Sequence, residues 1–365
     1  MDAINAVSTR DRKTAVFDVE IAAVATAVPD HVIAQAEVER RSRHFYPQFA
    51  YMAALYANTG VETRYFCMPE DWYEAPRSWE ERTAVFQKHA IDLLERVASD
   101  AVSRAGLRLD QIDAVVTNTI TGLAIPSLDA MLMNRMKFGQ HTERLPTFGL
   151  GCGGGVAGFS RATRLAQTMP GGNILFLTID LCSLCMRVND PAIAMYVALA
   201  LFGDGAAGVV LRNTQGVGGD GPMGLGQVVA TGEHFWPGTE HIMGWDITND
   251  GFGIVLSPEL PALIRDNFVP AVDAFLARND MSRADLDGYL LHPGGSKIVD
   301  IAEAKLALPP GALEPTRATL RDFGNMSSAT ALFVLNHAIS RGLKGRHLLA
   351  AFGPGFSAYF VVLDL

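Results

Sequence analysis

The sequence predicts a layered α/β fold built from two similar halves. Three observations carry that expectation: strand and helix patterns alternate along nearly the whole chain, the strand segments read as apolar on both faces, and one arrangement occurs twice. In the first occurrence a strand at 113–119 is followed, about 35 residues later, by a glycine-flanked Cys152 that opens a helix and then a strand, GNILFLTID. In the second, a strand at 288–292 leads to His-Pro-Gly-Gly. A glycine-flanked Asn325 opens a helix about 35 residues later, and HLLAAFG follows. Two facing halves of this kind bring the two helix N-termini together.

Taken in order, the expected strands are 19–28, 113–119, 172–180, 206–212, 288–292, 347–353 and 358–365. Each is a short apolar run bounded by turn residues. Helices are expected near 85–105, 127–137, 153–168, 258–278, 297–306 and 326–341. The last ends on Arg341-Gly342, a basic residue followed by a glycine suited to the left-handed C-terminal cap. The glycine-rich stretch 213–227 is the best boundary, so the halves are expected at 1–222 and 223–365.

Composition narrows the class. A chain of 365 residues with 49% hydrophobic content can bury a large core. A net charge of -9 without a long Lys/Arg run argues against nucleic acid or anionic lipid as the main partner. The N-terminal segment has no apolar signal-peptide core, and no run reaches the length of roughly 20 apolar residues needed to span a bilayer. A cytoplasmic protein without stable membrane insertion is therefore expected. Four cysteines, Cys67, Cys152, Cys182 and Cys185, are too few for a disulfide framework in so long a chain.

Three residues stand out for their chemistry. Cys152 lies in GLGCGGGVAGF, where glycines permit a sharp turn into a helix. At a helix N-terminus the thiolate is favoured, so a lowered thiol pKa is expected; the alternative is a small apolar Cys in a packing site. His292 ends a strand that Pro293-Gly294-Gly295 stops, leaving an imidazole at a layer edge to take the thiol proton, or simply to hydrogen-bond in a turn. Asn325 precedes Met326-Ser327-Ser328, where its carboxamide either caps the helix or donates to a developing oxyanion or enolate. Cys182 and Cys185 form a C-x-x-C pair, a redox motif or half a metal site by spacing. Without a second cysteine pair or an H-x-x-x-H companion, zinc is not expected, and both thiols are placed in the interior beside Thr178 and Asp180.

Taken together, GLGCGGGVAGF, ALFGDGAAGVVL, LHPGGSKI, DFGNMSSA and AFGPGFSAY resemble, in this order and at these spacings, the chalcone/stilbene synthase-like type III polyketide synthases of the thiolase superfamily. The resemblance runs from about Tyr65 to the C-terminus. It implies the five-layered αβαβα thiolase-like fold, a homodimer and CoA thioester substrates, with no metal and no redox cofactor. It implies Cys152 as the acyl-accepting nucleophile, with His292 and Asn325 stabilising the enolate formed when malonyl-CoA loses CO2. It also implies a substrate cavity lined by Phe202 as gatekeeper, with Thr121, Cys185, Ala198, Ile254, Ser327 and the Gly353-Pro354-Gly355 turn. Ile254 replaces an aromatic of the plant enzymes. Where those enzymes place basic residues for the CoA phosphates, this chain has Tyr51, Ala54 and Asn58, which leaves Lys297 as the candidate cation.

Segments such as GVETRYFCMPEDWY and MGWDITNDGFGIVLSPELP look bacterial, and bacterial relatives of this type extend fatty acyl-CoA starters to alkylpyrones or alkylresorcinols. That is the expected reaction. The alternatives are a simple- or aromatic-starter synthase with a phloroglucinol-, naphthol- or chalcone-like product, and a ketoacyl-acyl carrier protein synthase III. A catalytically silent scaffold and a Cys182/Cys185 redox protein are the readings from other classes.

Overall fold

The computed structural model describes residues 18–187, 190–216 and 224–365. The chain opens with β1 (Val19–Ala27), β2 (His31–Ala34), α1 (Gln35–Phe45), α2 (Ala54–Ala57) and β3 (Thr63–Phe66). The long α3 (Trp79–Arg104) starts six residues before the expected helix, because Ser78 and Glu81 form a reciprocal capping box. Next come β4 (Ala114–Thr119), α4 (Leu128–Arg135), β5 (Glu143–Phe148), α5 (Gly154–Ala166), β6 (Asn173–Leu181), α6 (Ile193–Leu201) and β7 (Asp204–Asn213). The second half contributes β8 (Gly226–Phe235), β9 (Met243–Thr248), β10 (Gly251–Leu256), α7 (Leu260–Ala277), β11 (Gly288–Leu291) and α8 (Ser296–Lys305). It closes with α9 (Glu314–Phe323), α10 (Thr330–Ser340), β12 (Arg346–Gly353) and β13 (Ser357–Asp364). The expected boundary at 222 and 223 lies outside the described residues.

The duplication read in the sequence is visible in the strand order. Among the described residues the main sheet runs β11-β12-β13-β8-β1-β7-β6-β4-β5. Outward from its centre, the first half reads β1, β7, β6, β4 and the second β8, β13, β12, β11. In each half the first strand pairs antiparallel with the last, which pairs antiparallel with a third, which is parallel to a fourth. The halves join through β1 and β8, where Glu20 faces Gln227 and Ile21 faces Gly226.

Burial follows the layers. One apolar cluster packs α3 residues such as Phe86, Leu94 and Val97 against the outer face of the first half-sheet. A second packs Phe268, Val272 and Phe275 of α7 against β13 and β12. Between them, Phe159 of α5 and Leu332 and Leu335 of α10 fill the centre with strand residues from both halves. The order is helix, sheet, helix pair, sheet, helix: the five-layered thiolase-like fold. α5 and α10 occupy equivalent places in the two halves, so the residues that open them meet at the centre of the molecule.

Candidate active site

The glycines around Cys152 are demanded by contact. Cys152 sits in a 3-10 turn at Gly151–Gly153 that leads into α5. Gly151 has φ +51°, and a Cβ there would fall 2.4 Å from Pro354. At Gly153 it would meet the Tyr359 ring at 2.5 Å, and at Gly155 the carbonyl oxygen of Ser328 at 2.1 Å. The N-terminus of α5 is therefore pressed against the turn at Ser327–Ala329 that leads into α10. This places Cys152 beside Asn325.

Asn325 is 2% exposed, and its Oδ1 accepts the Ser327 N–H at 2.9 Å. The oxygen caps the turn, and holding it there leaves the amide N–H groups for the other side. There the carboxamide and the Ser327 hydroxyl lie close enough to the Cys152 sulfur to favour its thiolate. His292, 6% exposed, follows β11, with its own N–H bonded to the Ala350 carbonyl at 2.8 Å. Neither ring nitrogen has a hydrogen-bond partner among the described residues, so the imidazole is buried but uncommitted.

All three side chains line one cavity of about 490 Å3, whose outer part includes Asn58, Ser296 and Lys297. A second cavity of about 430 Å3 lies beyond. Cys152 and Phe202 line both, together with Met243 and Leu256. Sulfur and gate thus stand at the junction of an outer channel and an inner chamber. The inner wall carries Cys185, Ala198, Ile254, Ser327, Pro354 and Gly355.

Two expected liners are not there. The Thr121 hydroxyl donates to Asp180 at 3.1 Å and accepts the Leu181 N–H at 2.8 Å, so it is turned into the sheet and borders only a separate space of about 10 Å3. Gly353 lines neither cavity; it ends β12, where a Cβ would strike the Leu150 carbonyl at 2.4 Å, and it serves close packing under the Cys152 turn.

The expected lowered thiol pKa is also corrected. Burial pushes the Cys152 thiol up to about 11; Ser327 and Asn325 pull against it, and the nearby Asp180 charge adds to the rise. Burial alone brings His292 down to about 4. Cys152 retains some accessible surface, facing a chamber lined mostly by apolar side chains that solvate a charge poorly. Both shifts run away from a charged pair.

Sequence reading missed several contributors. Asp180, fully buried, accepts from Thr119, Ile120 and Thr121 through Oδ1 and from the Ser328 N–H and hydroxyl through Oδ2. It ties β6 of the first half to the turn that carries Asn325 in the second. A single acid inside the apolar run ILFLTIDL was the available signal. Trp245, on the β9–β10 hairpin, walls the inner chamber and donates its indole N–H to the Ile120 carbonyl at 2.8 Å. Cys182 joins Cys185 on that wall, and all four cysteines are free.

A thiol, an imidazole and a carboxamide gathered on one cavity, with the thiol at its junction with a second, on a duplicated αβαβα frame, define a condensing enzyme of the thiolase-like class. Comparison with known proteins agrees. Residues 7–214 match the N-terminal domain of chalcone and stilbene synthases, and residues 227–364 match the C-terminal domain. A 1,3,6,8-tetrahydroxynaphthalene synthase of Streptomyces peucetius subsp. caesius is 37% identical, covering 100% of this chain and 98% of that protein. A phloroglucinol synthase of Pseudomonas fluorescens is 29% identical, covering 92% and 95%. The crystal structure of the tetrahydroxynaphthalene synthase from Streptomyces coelicolor superposes with a TM-score of 0.88 at 31% identity, covering 94% of this chain and 99% of that one. The chain belongs to the chalcone and stilbene synthase family. It is a type III polyketide synthase, an acyltransferase that uses CoA thioesters and forms carbon–carbon bonds.

Proposed function

We propose that this synthase builds a short aromatic polyketide from malonyl-CoA, with Cys152 as nucleophile and His292 and Asn325 as its partners. The observation that carries the assignment is the shared position of Cys152 and Phe202 between the outer and inner chambers. A pantetheine arm entering past Asn58 and Lys297 delivers its thioester to the sulfur, and the acyl group is passed inward.

Burial pushes the thiol up and the imidazole down, so charge is made as substrate arrives. A ring nitrogen of His292 takes the Cys152 proton as the sulfur attacks the thioester carbonyl, and the departing CoA sulfur takes that proton back. A second malonyl-CoA then loses CO2; the electron pair of the broken C–C bond becomes an enolate, whose oxygen accepts from the His292 N–H and the Asn325 amide. The enolate carbon attacks the Cys152 thioester, the C–S bond breaks, and the extended chain leaves on CoA. Repetition fills the inner chamber. Its volume of about 430 Å3 lies within the roughly 300–1,000 Å3 of small-molecule sites.

An aromatic polyhydroxylated product is supported by the names of the relatives, and by flat walls such as Trp245 and Phe148 that suit a ring. The fatty acyl starter keeps one supporting observation, a chamber lined almost wholly by apolar side chains. We assign the halves to 1–222 and 223–365 on the repeated strand order. We also propose a homodimer: Ile125 is 99% exposed, and the edge strand β5 leaves Leu145 uncovered.

The test is purified enzyme with malonyl-CoA alone, then with acyl-CoA starters of rising length. Release of an aromatic polyhydroxylated product without added starter is expected. A strict need for a long-chain starter overturns the malonyl reading, and turnover only with a malonyl carrier protein overturns the CoA reading.

A further inference from the structure

Arg64, on β3, is the bulkiest side chain buried to 0% exposure. It forms no ion pair among the described residues; its guanidinium is spent on backbone instead. Nη1 donates to the carbonyls of Leu199 at 2.7 Å and Phe202 at 3.0 Å, and Nη2 to that of Ala200 at 2.9 Å. These carbonyls belong to the C-terminal end of α6, where a helix leaves acceptors without partners and carries its negative pole. The others are also taken: Ala198 by the Phe202 N–H at 2.9 Å, and Leu201 by the Asn325 N–H at 2.9 Å. The Gly203 N–H returns to the Asn325 carbonyl at 3.0 Å. Phe202 and Asn325 thus hang from the same helix end.

That helix is the partition of the site. Val197 and Leu201 face the outer cavity, while Met195 and Ala198 face the inner chamber. The stem of Arg64 also presses on the flanking glycines: a Cβ at Gly203 would lie 3.1 Å from the Arg64 Cβ, and one at Gly324 3.5 Å. Gln35 completes the clamp, accepting from Arg64 through Oε1 and donating through Nε2 to the Ala200 carbonyl at 3.0 Å. No other side chain in this knot reaches three carbonyls, and a planar fork is needed to do so.

We propose that Arg64 is a positioning residue that, without touching substrate, sets Phe202 at the junction of the chambers and holds Asn325 beside the Cys152 sulfur. The inference rests on the proposed roles of Cys152 and Asn325. Burial lowers the Arg64 pKa to about 10, which leaves the guanidinium charged at neutral pH. Charge by itself is not the device; the geometry of the fork is.

Arg64→Lys keeps the charge and loses the fork. Two readouts are taken per titratable Cys152 thiol: CO2 release from malonyl-CoA, and the pH midpoint of Cys152 alkylation by iodoacetamide. A loosened Asn325 is expected to slow CO2 release by roughly 10- to 100-fold with a much smaller change in KM. The alkylation midpoint is expected to rise, since a donor to the thiolate is lost. Should R64K fail to fold, Gln35→Leu releases one side of the clamp and is expected to move both readouts in the same direction by less. A variant that melts earlier but keeps both readouts at wild-type values makes Arg64 merely structural and overturns the proposal. Wild-type enzyme that releases no CO2 fails the functional reading instead, and the alkylation arm, which needs no substrate, still tests the positioning.

Discussion

Gly155→Ala is the smallest change that should separate the two halves of the site. The added Cβ would lie 2.1 Å from the Ser328 carbonyl oxygen and 3.2 Å from its carbon. Both are backbone atoms, so no side chain can swing aside. Reaching an ordinary carbon–oxygen contact of about 3.3 Å requires about 1 Å of movement between the start of α5 and the turn before α10. Cys152 rides on the first and Asn325 on the second. Displacement of that size costs on the order of 100-fold in rate when it spoils a reacting geometry, and overpacking of this kind costs about 1–3 kcal/mol in stability. Gly139→Ala is the matched control: its Cβ would lie 3.4 Å from the Thr142 hydroxyl and 3.6 Å from the Asp110 carbonyl, ordinary contacts away from both chambers, with no positive φ. Malonyl-CoA consumption per folded molecule and Tm are the assays. G155A should lose most of its turnover and melt earlier, while G139A should stay within about twofold and near the wild-type Tm. Wild-type rate and Tm in G155A would refute the argument that the glycine run exists to let the two turns touch.

Two further outcomes follow from the same geometry. His292 is held neutral by burial, its pKa lowered from 6.5 to about 4. Between these values the unfolded chain binds the proton more readily than the fold, so stability present above pH 6.5 is lost as pH falls toward 4. The loss is on the order of 3 kcal/mol from this group. Denaturant unfolding of wild type and His292→Gln between pH 4 and 7 should show a shallower acid limb in the variant; parallel curves would contradict it. Phe202→Ala should merge the two chambers and shift the products toward larger starters or more extensions, read by mass spectrometry of the product mixture. An unchanged product pattern would remove Phe202 from the gate.

Much of the frame was legible because its signals are local. The seven expected strands lie within two residues of observed ones, and the helices from 127 onward are similarly placed except the last, which starts at Thr330 and not 326 because a 3-10 turn at Ser327–Ala329 precedes it. The elements not foreseen have physical reasons. β5, ERLPTF, is an exposed edge strand carrying Pro146, so it lacks the apolar run of a central strand. α6, IAMYVALAL, is apolar all round, and a short run of that kind shows no period that separates helix from strand. The β9–β10 hairpin turns on Asn249-Asp250, closed by the Thr248–Gly251 pair, a two-residue loop that went unread, and with it went Trp245.

The same distinction separates what the sequence says about the site from what only folding creates. Cys152, His292 and Asn325 are each announced by the glycines or proline that their backbone turns require, so three reactive residues can be picked out without knowing that they meet. The state of those residues carries no such mark. A helix N-terminus argues for a thiolate, and that argument is sound for an exposed turn. Here Phe159, Val156 and the strands around them pack the helix that the turn opens, and Asp180 places a buried carboxylate nearby. Desolvation outweighs the dipole, and the thiol is pushed up rather than down. Ser327 and Asn325, from the second half, pull the other way, so the balance is struck by groups that the fold and not the sequence makes neighbours. The same packing that raises the thiol brings His292 to the cavity that Cys152 lines, where an imidazole without a hydrogen-bond partner can take the proton when a thioester arrives.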